Sequence, residues 1–139
     1  MADNTQQAER MFQAWEDRDF DTFAEALRDE VSVSAPGNQA VTGKQAVRQW
    51  YESWVSAFTD ATAGGRVTLS GAEGVTVEGV FRGTNDGQFA GQFPPTNQSV
   101  SVPFINVLHF ADDKVSEVTV YYDSLLLMTQ LGHVQDPMG

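Results

Sequence analysis

Residues Lys114–Gly132 read K-V-S-E-V-T-V-Y-Y-D-S-L-L-L-M-T-Q-L-G, and the change of period inside this stretch decides the fold. As far as Tyr122 it alternates. Val115, Glu117, Thr119, Tyr121 and Asp123 share one strand parity, which gathers two carboxylates, a hydroxyl and a phenol on one side. Ser116, Val118, Val120 and Tyr122 form the other, more apolar side. From Ser124 onward an apolar, helix-like run takes over, and Asp123 stands at the junction, where an aspartate caps a first helical turn whether or not it does chemistry. A polar row of this kind is either solvent-facing or the wall of a pocket. The expectation is a pocket wall, because helices with an aromatic face elsewhere in the chain need a sheet face to cover.

Working back towards the N-terminus, Ala111-Asp112-Asp113-Lys114 reads as a hairpin turn. Before it Val100, Val102, Phe104, Asn106, Leu108 and Phe110 alternate, as do Val75, Val77, Gly79 and Phe81, and more briefly Val67 and Leu69. Strands therefore dominate from Arg66 to Asp123. The first third is helical. Asp3 and Gln6 resemble a capping box for a helix over about 4–17 that carries Ala8, Met11, Phe12 and Trp15 on one face. Thr22 and Glu25 suggest a second, short helix burying Phe20, Phe23, Ala24 and Leu27. Val31, Val33 and Ala35 form a short strand that ends at Pro36-Gly37-Asn38. Thr42 and Gln45 then open a third helix with Val47, Trp50, Tyr51, Trp54 and Phe58 along one stripe, a pattern met in plain core as well as in aromatic ligand sites. The expected architecture is α+β: three N-terminal helices on a curved antiparallel sheet, and a short helix at the C-terminal end.

The chain has 139 residues, which fits one domain over 1–139 with room for a core and a pocket. It has no cysteine, so thiolate chemistry and disulfides are excluded. Nineteen acidic against eight basic residues give a formal charge of −11, a field that repels nucleic acid and anionic lipid. With no signal-like start and no long apolar run, a cytoplasmic location is expected. The two histidines, His109 and His133, are too isolated for a zinc site. His109 is expected to be partly buried and His133 to lie in a tail. Gly79, Gly83, Gly87 and Gly91 lack the strand-to-helix context of a phosphate loop, and no G-x-S-x-G is present.

The block V-E-G-V-F-R-G-T-N-D-G-Q-F-A-G-Q-F-P-P-T-N, the later Y-Y-D-S-L-L-L-M-T-Q-L-G, and the early W-E-D-R-D-F-D-T-F-A-E and G-K-Q-A-V-R-Q-W-Y-E-S-W-V-S-A-F-T-D segments together resemble the SnoaL-like polyketide cyclases of the nuclear-transport-factor-2-like superfamily. The resemblance implies a cone of curved sheet closed by three helices around an apolar pocket, commonly as a homodimer. It implies intramolecular aldol condensation without metal or organic cofactor, with Asp123 as acid/base. The family often has histidine where Asn85 stands here, tryptophan at Thr119, and a basic or polar residue at Glu78.

An aspartate that removes a proton beside a carbonyl needs a raised pKa, which burial and a neighbouring Glu117 would supply. On this reading Asp123 is the catalytic base, and Tyr121, Asn106 and Asn85 hydrogen-bond the substrate oxygens. Trp15, Trp50, Tyr51, Trp54 and Phe81 supply flat walls for a hydrophobic, oxygenated small molecule. An epoxide-hydrolase-like opening would instead use Arg82, Asp86 and Asp123, and a hydroxylase-like relative is a further alternative. The rival from another class is a non-catalytic binding or assembly protein. An Asp123 carboxylate inside a cavity would favour the enzyme, and one capping in solvent the binder.

Overall fold

The computed structural model describes residues 4–135. Its elements run α1 (Asn4–Glu16), α2 (Phe20–Glu25), β1 (Leu27–Ala35), β2 (Gln39–Thr42), α3 (Lys44–Ala57), β3 (Arg66–Ser70), β4 (Gly74–Thr84), β5 (Ser99–Ala111), β6 (Lys114–Tyr122) and α4 (Ser124–Leu131). The six strands form one curved, unclosed sheet in the order β2-β1-β6-β5-β4-β3. Every neighbouring pair is antiparallel except β1 and β6, which run parallel. This corrects an all-antiparallel expectation: β1 and β6 are joined through most of the chain, so no tight hairpin dictates their direction. α1 packs over β3 and β4, and α3 over β1 and β2, so the apolar stripes of both helices face the same side of the sheet.

The period change at Lys114–Gly132 falls where the sequence places it. Asp112 and Asp113 take φ 54° and 65°, both left-handed, and close the β5–β6 hairpin. β6 then bulges. His109 pairs with Glu117 but Phe110 with Val115, so Ser116 is an extra residue on β6, and its hydroxyl donates to the His109 carbonyl at 3.1 Å. The bulge reverses strand parity, and Val115 and Val118 are both buried although three residues apart. From Glu117 on, Val118 and Val120 face the core, while Glu117 and Tyr121 are exposed. The polar row is thus the outer side of the sheet and not a pocket wall. A second register shift, between Val67 and Leu69, leaves Leu69 exposed on an edge strand.

Helix entry differs in detail from the sequence signals. The cap of α2 is Asp19, whose carboxylate accepts from the Thr22 amide and hydroxyl, which makes Thr22 the capped residue. Both bonds hold the Asp19 carboxyl below its ordinary range. α3 starts from Gly43 at φ 101° without a side-chain cap, so Thr42 does not fill that role. The Asp3 capping signal lies outside the described residues. α4 begins as expected: Asp123 Oδ1 accepts from the Leu126 amide at 2.9 Å, and Gly132 at φ 91° ends the helix.

Candidate functional site

Between α1, α3 and the inner face of the sheet lies a cavity with about 580 Å³ of empty space, counting its open mouth. Its wall is built from both periods of the chain. Helical spacing brings Phe12 and Trp15 from α1 and Trp50, Tyr51 and Trp54 from α3. Strand alternation brings Phe81 from β4, Val102, Phe104 and Asn106 from β5, and Val120 and Tyr122 from β6; Ala63 and Leu127 complete it. Trp54 is the hub of the aromatic wall, with ring centroids 5.2 Å from Phe81, 5.5 Å from Tyr122 and 5.8 Å from Trp50. The near-perpendicular Trp54–Tyr122 pair, at 89°, is an edge-to-face arrangement that aromatic quadrupoles favour.

Hydrogen bonds fix the rings in place. The Trp15 indole N–H donates to the Tyr51 carbonyl at 3.1 Å. The Trp50 indole donates to Gln39 Oε1 at 3.0 Å, and Gln39 Nε2 in turn donates to the Pro36 carbonyl at 2.8 Å and to the Tyr122 oxygen at 3.3 Å. The turn at Pro36-Gly37-Asn38 thereby positions two cavity residues through one amide. Deeper in, the Tyr51 hydroxyl donates to Asn106 Oδ1 at 2.6 Å, and both residues are buried. Burial pushes the Tyr51 phenol well above its ordinary pKa, so it stays a neutral donor. Burial likewise raises Tyr122, opposed by the Gln39 hydrogen bond. Asn106 Nδ2 has no protein acceptor among the described residues and keeps contact with the open space of the cavity. No carboxylate, histidine, lysine or arginine is among the lining residues.

Of the sequence-derived candidates, Trp15, Trp50, Tyr51, Trp54, Phe81 and Asn106 come together on this wall. Four do not. Tyr121 is 57% exposed and Glu117 is exposed, both turned outward by the β6 register. Asp123 is exposed and engaged as the α4 cap, outside the lining of the cavity. Asn85 is fully buried, yet its Nδ2 donates to the Ala57 and Gly87 carbonyls and its Oδ1 accepts from the Thr96 amide, which makes it a staple of the loop after β4. The epoxide-opening set does not assemble either: Arg82 and Asp86 are exposed, and Asp86 accepts from the amide and hydroxyl of Thr59, which hold its carboxyl below the ordinary range. His109 is exposed, whereas His133 is half-buried with its ring 4.8 Å from Phe93.

Sequence reasoning missed Tyr122, Phe104 and Phe12 as wall residues. The signal for Tyr122 was present in its parity with Val118 and Val120, the more apolar side of β6. Phe104 shares parity with Asn106, and Phe12 falls on the α1 stripe with Trp15.

No described helix is long and apolar enough to cross a membrane. No curated protein matches the chain. Among solved structures, a protein from Jannaschia sp. CCS1 named for the SnoaL-like polyketide cyclases superposes with a TM-score of 0.84 at 27% identity, over 94% of this chain and 92% of the other. A protein from Pseudomonas putida KT2440, named as a candidate polyketide cyclase, gives 0.85 at 16% identity over 94% and 99% of the two chains. AclR from Streptomyces galilaeus, named as a candidate hydroxylase, gives 0.80 at 22% over 96% and 83%. At those last two identities the likeness is one of fold. The model of the SnoaL-like polyketide cyclases matches residues 5–131, nearly the whole chain, and the chain belongs to that family.

Proposed function

We propose that this protein binds a flat, hydrophobic, oxygen-bearing small molecule in the aromatic cavity, and that Asp123 is not its acid/base group. The observation that carries this reading is the contrast between Asn106 and Asp123. The one is buried on the wall with a spare amide hydrogen, and the other caps a helix in solvent. Burying a rigid two-ring ligand against this wall removes apolar area worth about 25 cal/mol per Å². A ligand oxygen that accepts from the accessible Asn106 Nδ2 would add a net hydrogen bond worth about 0.5–1.5 kcal/mol. Because Trp15, Trp50 and Trp54 all line the cavity, intrinsic fluorescence reports occupancy. Titration with 1-tetralone should quench or shift that emission saturably. Val120→Phe, which fills the cavity from β6, should abolish the effect, and an unchanged response in that variant would sink the reading.

Intramolecular aldol ring closure is the second reading, favoured by the family match over residues 5–131. In this cavity Asn106 Nδ2 would hold the oxygen on which enolate charge develops. The base would have to be a group other than the lining side chains, such as a water or a basic atom of the substrate itself. Product analysis after incubation with poly-β-carbonyl compounds separates the two readings. Ring-closed product that forms equally fast in Asp123→Asn supports catalysis without that carboxylate.

A further inference from the structure

Between the end of β4 at Thr84 and the start of β5 at Ser99 the chain leaves the sheet, and both ends of the excursion are tied at Asn85. The Asn85 amide donates to the Gln98 carbonyl at 2.9 Å, its carbonyl accepts from the Asn97 amide at 2.8 Å, and its side chain holds Gly87 and Thr96. From Gln88 to Pro95, by contrast, no hydrogen bond joins the chain to the rest of the described residues. The bonds made there are internal. Phe89 and Phe93 exchange amide-to-carbonyl bonds at 2.8 and 2.9 Å across a turn in which Ala90 and Gly91 take φ 53° and 70°. Gln88, Ala90, Gly91, Gln92, Pro94 and Pro95 are exposed, and only the two phenylalanines are half-buried. Phe89 lies 5.3 Å from Trp54 and 6.1 Å from Phe58, while Phe93 lies 4.8 Å from the ring of His133 at the end of α4.

The second of these fastenings is incomplete. The His133 amide donates to the Met128 carbonyl at 3.0 Å, which fixes the residue at the helix end, yet its Nε2 is enclosed with no hydrogen-bond partner among the described residues. An enclosed nitrogen left unpaired costs stability in this arrangement and regains water when Phe93 lifts away. Phe89 stands outside the cavity lining and packs on Trp54, so it supports the hub of the aromatic wall from behind. We infer that Gln88–Pro95 is a strap that lifts as one unit about Asn85, with Phe93 on His133 as its latch, and that lifting it frees Trp54 and opens that side of the cavity. Compact loops with closed ends are suited to such movement. Lifting breaks no hydrogen bond to the body of the protein, and segments held by few apolar contacts open at the low end of a fold's stability.

Limited chymotrypsin digestion of the whole chain tests this without a ligand, so a failed 1-tetralone titration bears on the binding reading alone. Phe93 precedes Pro94, a bond that chymotrypsin does not cut, which leaves the strap one site, between Phe89 and Ala90. That bond should be the first to go. Where reclosing outpaces cleavage the rate follows the open population, and His133→Ala, which removes the latch, should be cut about 5- to 10-fold faster. His133→Phe keeps a ring under Phe93 without the unpaired nitrogen, and should be cut about 3-fold more slowly than the unaltered protein. Because lifting exposes little surface, the rate should rise by less than about twofold per molar of urea below the unfolding transition. Acrylamide should quench tryptophan emission more strongly in His133→Ala than in the unaltered protein. A first cut elsewhere, equal rates in the three proteins, or a urea dependence as steep as that of global unfolding overturns the strap. Equal quenching overturns its link to Trp54.

Discussion

Two asparagines, Asn85 and Asn106, are the buried polar residues of the described chain, and they are used in opposite ways. Asn85, at 0% exposure, commits both amide hydrogens to the Ala57 and Gly87 carbonyls, and its oxygen accepts from the Thr96 amide; its own backbone bonds Gln98 and Asn97. Nothing is left over. Asn106, at 3%, is met on one side only, by the Tyr51 hydroxyl. A buried polar group that the protein satisfies completely is structural, whereas one that it leaves half-satisfied beside a cavity is held for something else. Residue type alone does not make the distinction.

Removing either asparagine should therefore do damage of a different kind. Asn85→Ala strands the Gly87 carbonyl and the Thr96 amide and leaves the Ala57 carbonyl only its bond from the Gly87 amide, and should lower unfolding free energy by about 3 kcal/mol in urea denaturation. Gly87 belongs to the same staple, because a Cβ there would lie 2.0 Å from the Ser56 carbonyl oxygen, and Gly87→Ala should destabilise the loop comparably. The pair Tyr51→Phe with Asn106→Leu removes both hydrogen-bonding partners together, so stability should change by only about 1 kcal/mol. Binding of a carbonyl ligand should nevertheless weaken by about 10-fold. Smaller effects come from the outer side of the sheet and its helix. Asp123→Ala should cost about 1 kcal/mol as a lost cap, Asp123→Asn only a few tenths, and Tyr121→Ser should leave ligand affinity unchanged.

The smallest expected effect is that of pH. Burial raises the pKa of both phenols near the cavity, Tyr51 and Tyr122, so each stays protonated across roughly pH 5 to 9. Affinity for an uncharged carbonyl ligand should be flat over that range. A binding curve that titrates near the ordinary carboxylate range would point back to an aspartate.

Most of the fold is legible in the sequence because the two hydrophobic periods are clean: the Val47–Phe58 stripe, the β4 and β5 alternations, and the strand-to-helix change at Asp123 all appear in the structure. The aromatic half of the cavity follows from them. What fails is parity carried through a bulge. Ser116 contributes no side-chain pattern that announces an extra residue, yet it puts the buried Val115 out of step with Glu117 and Tyr121, so that valine does not bring the polar row inward with it. Asn85 escapes for a different reason, since its partners are backbone groups from Ala57, Gly87 and Thr96 that no local pattern brings together. The cap role of Asp123 is visible in the sequence as a helix-entry signal. Its exposure is not, because that depends on which face of β6 continues into α4.

The most direct test of the contrast between the two polar positions is a side-by-side titration of 1-tetralone into the unaltered protein, Asp123→Asn and the Tyr51→Phe/Asn106→Leu double variant. Unchanged affinity in Asp123→Asn with about a 10-fold loss in the double variant is the predicted outcome. Loss in Asp123→Asn with full affinity in the double variant would contradict it.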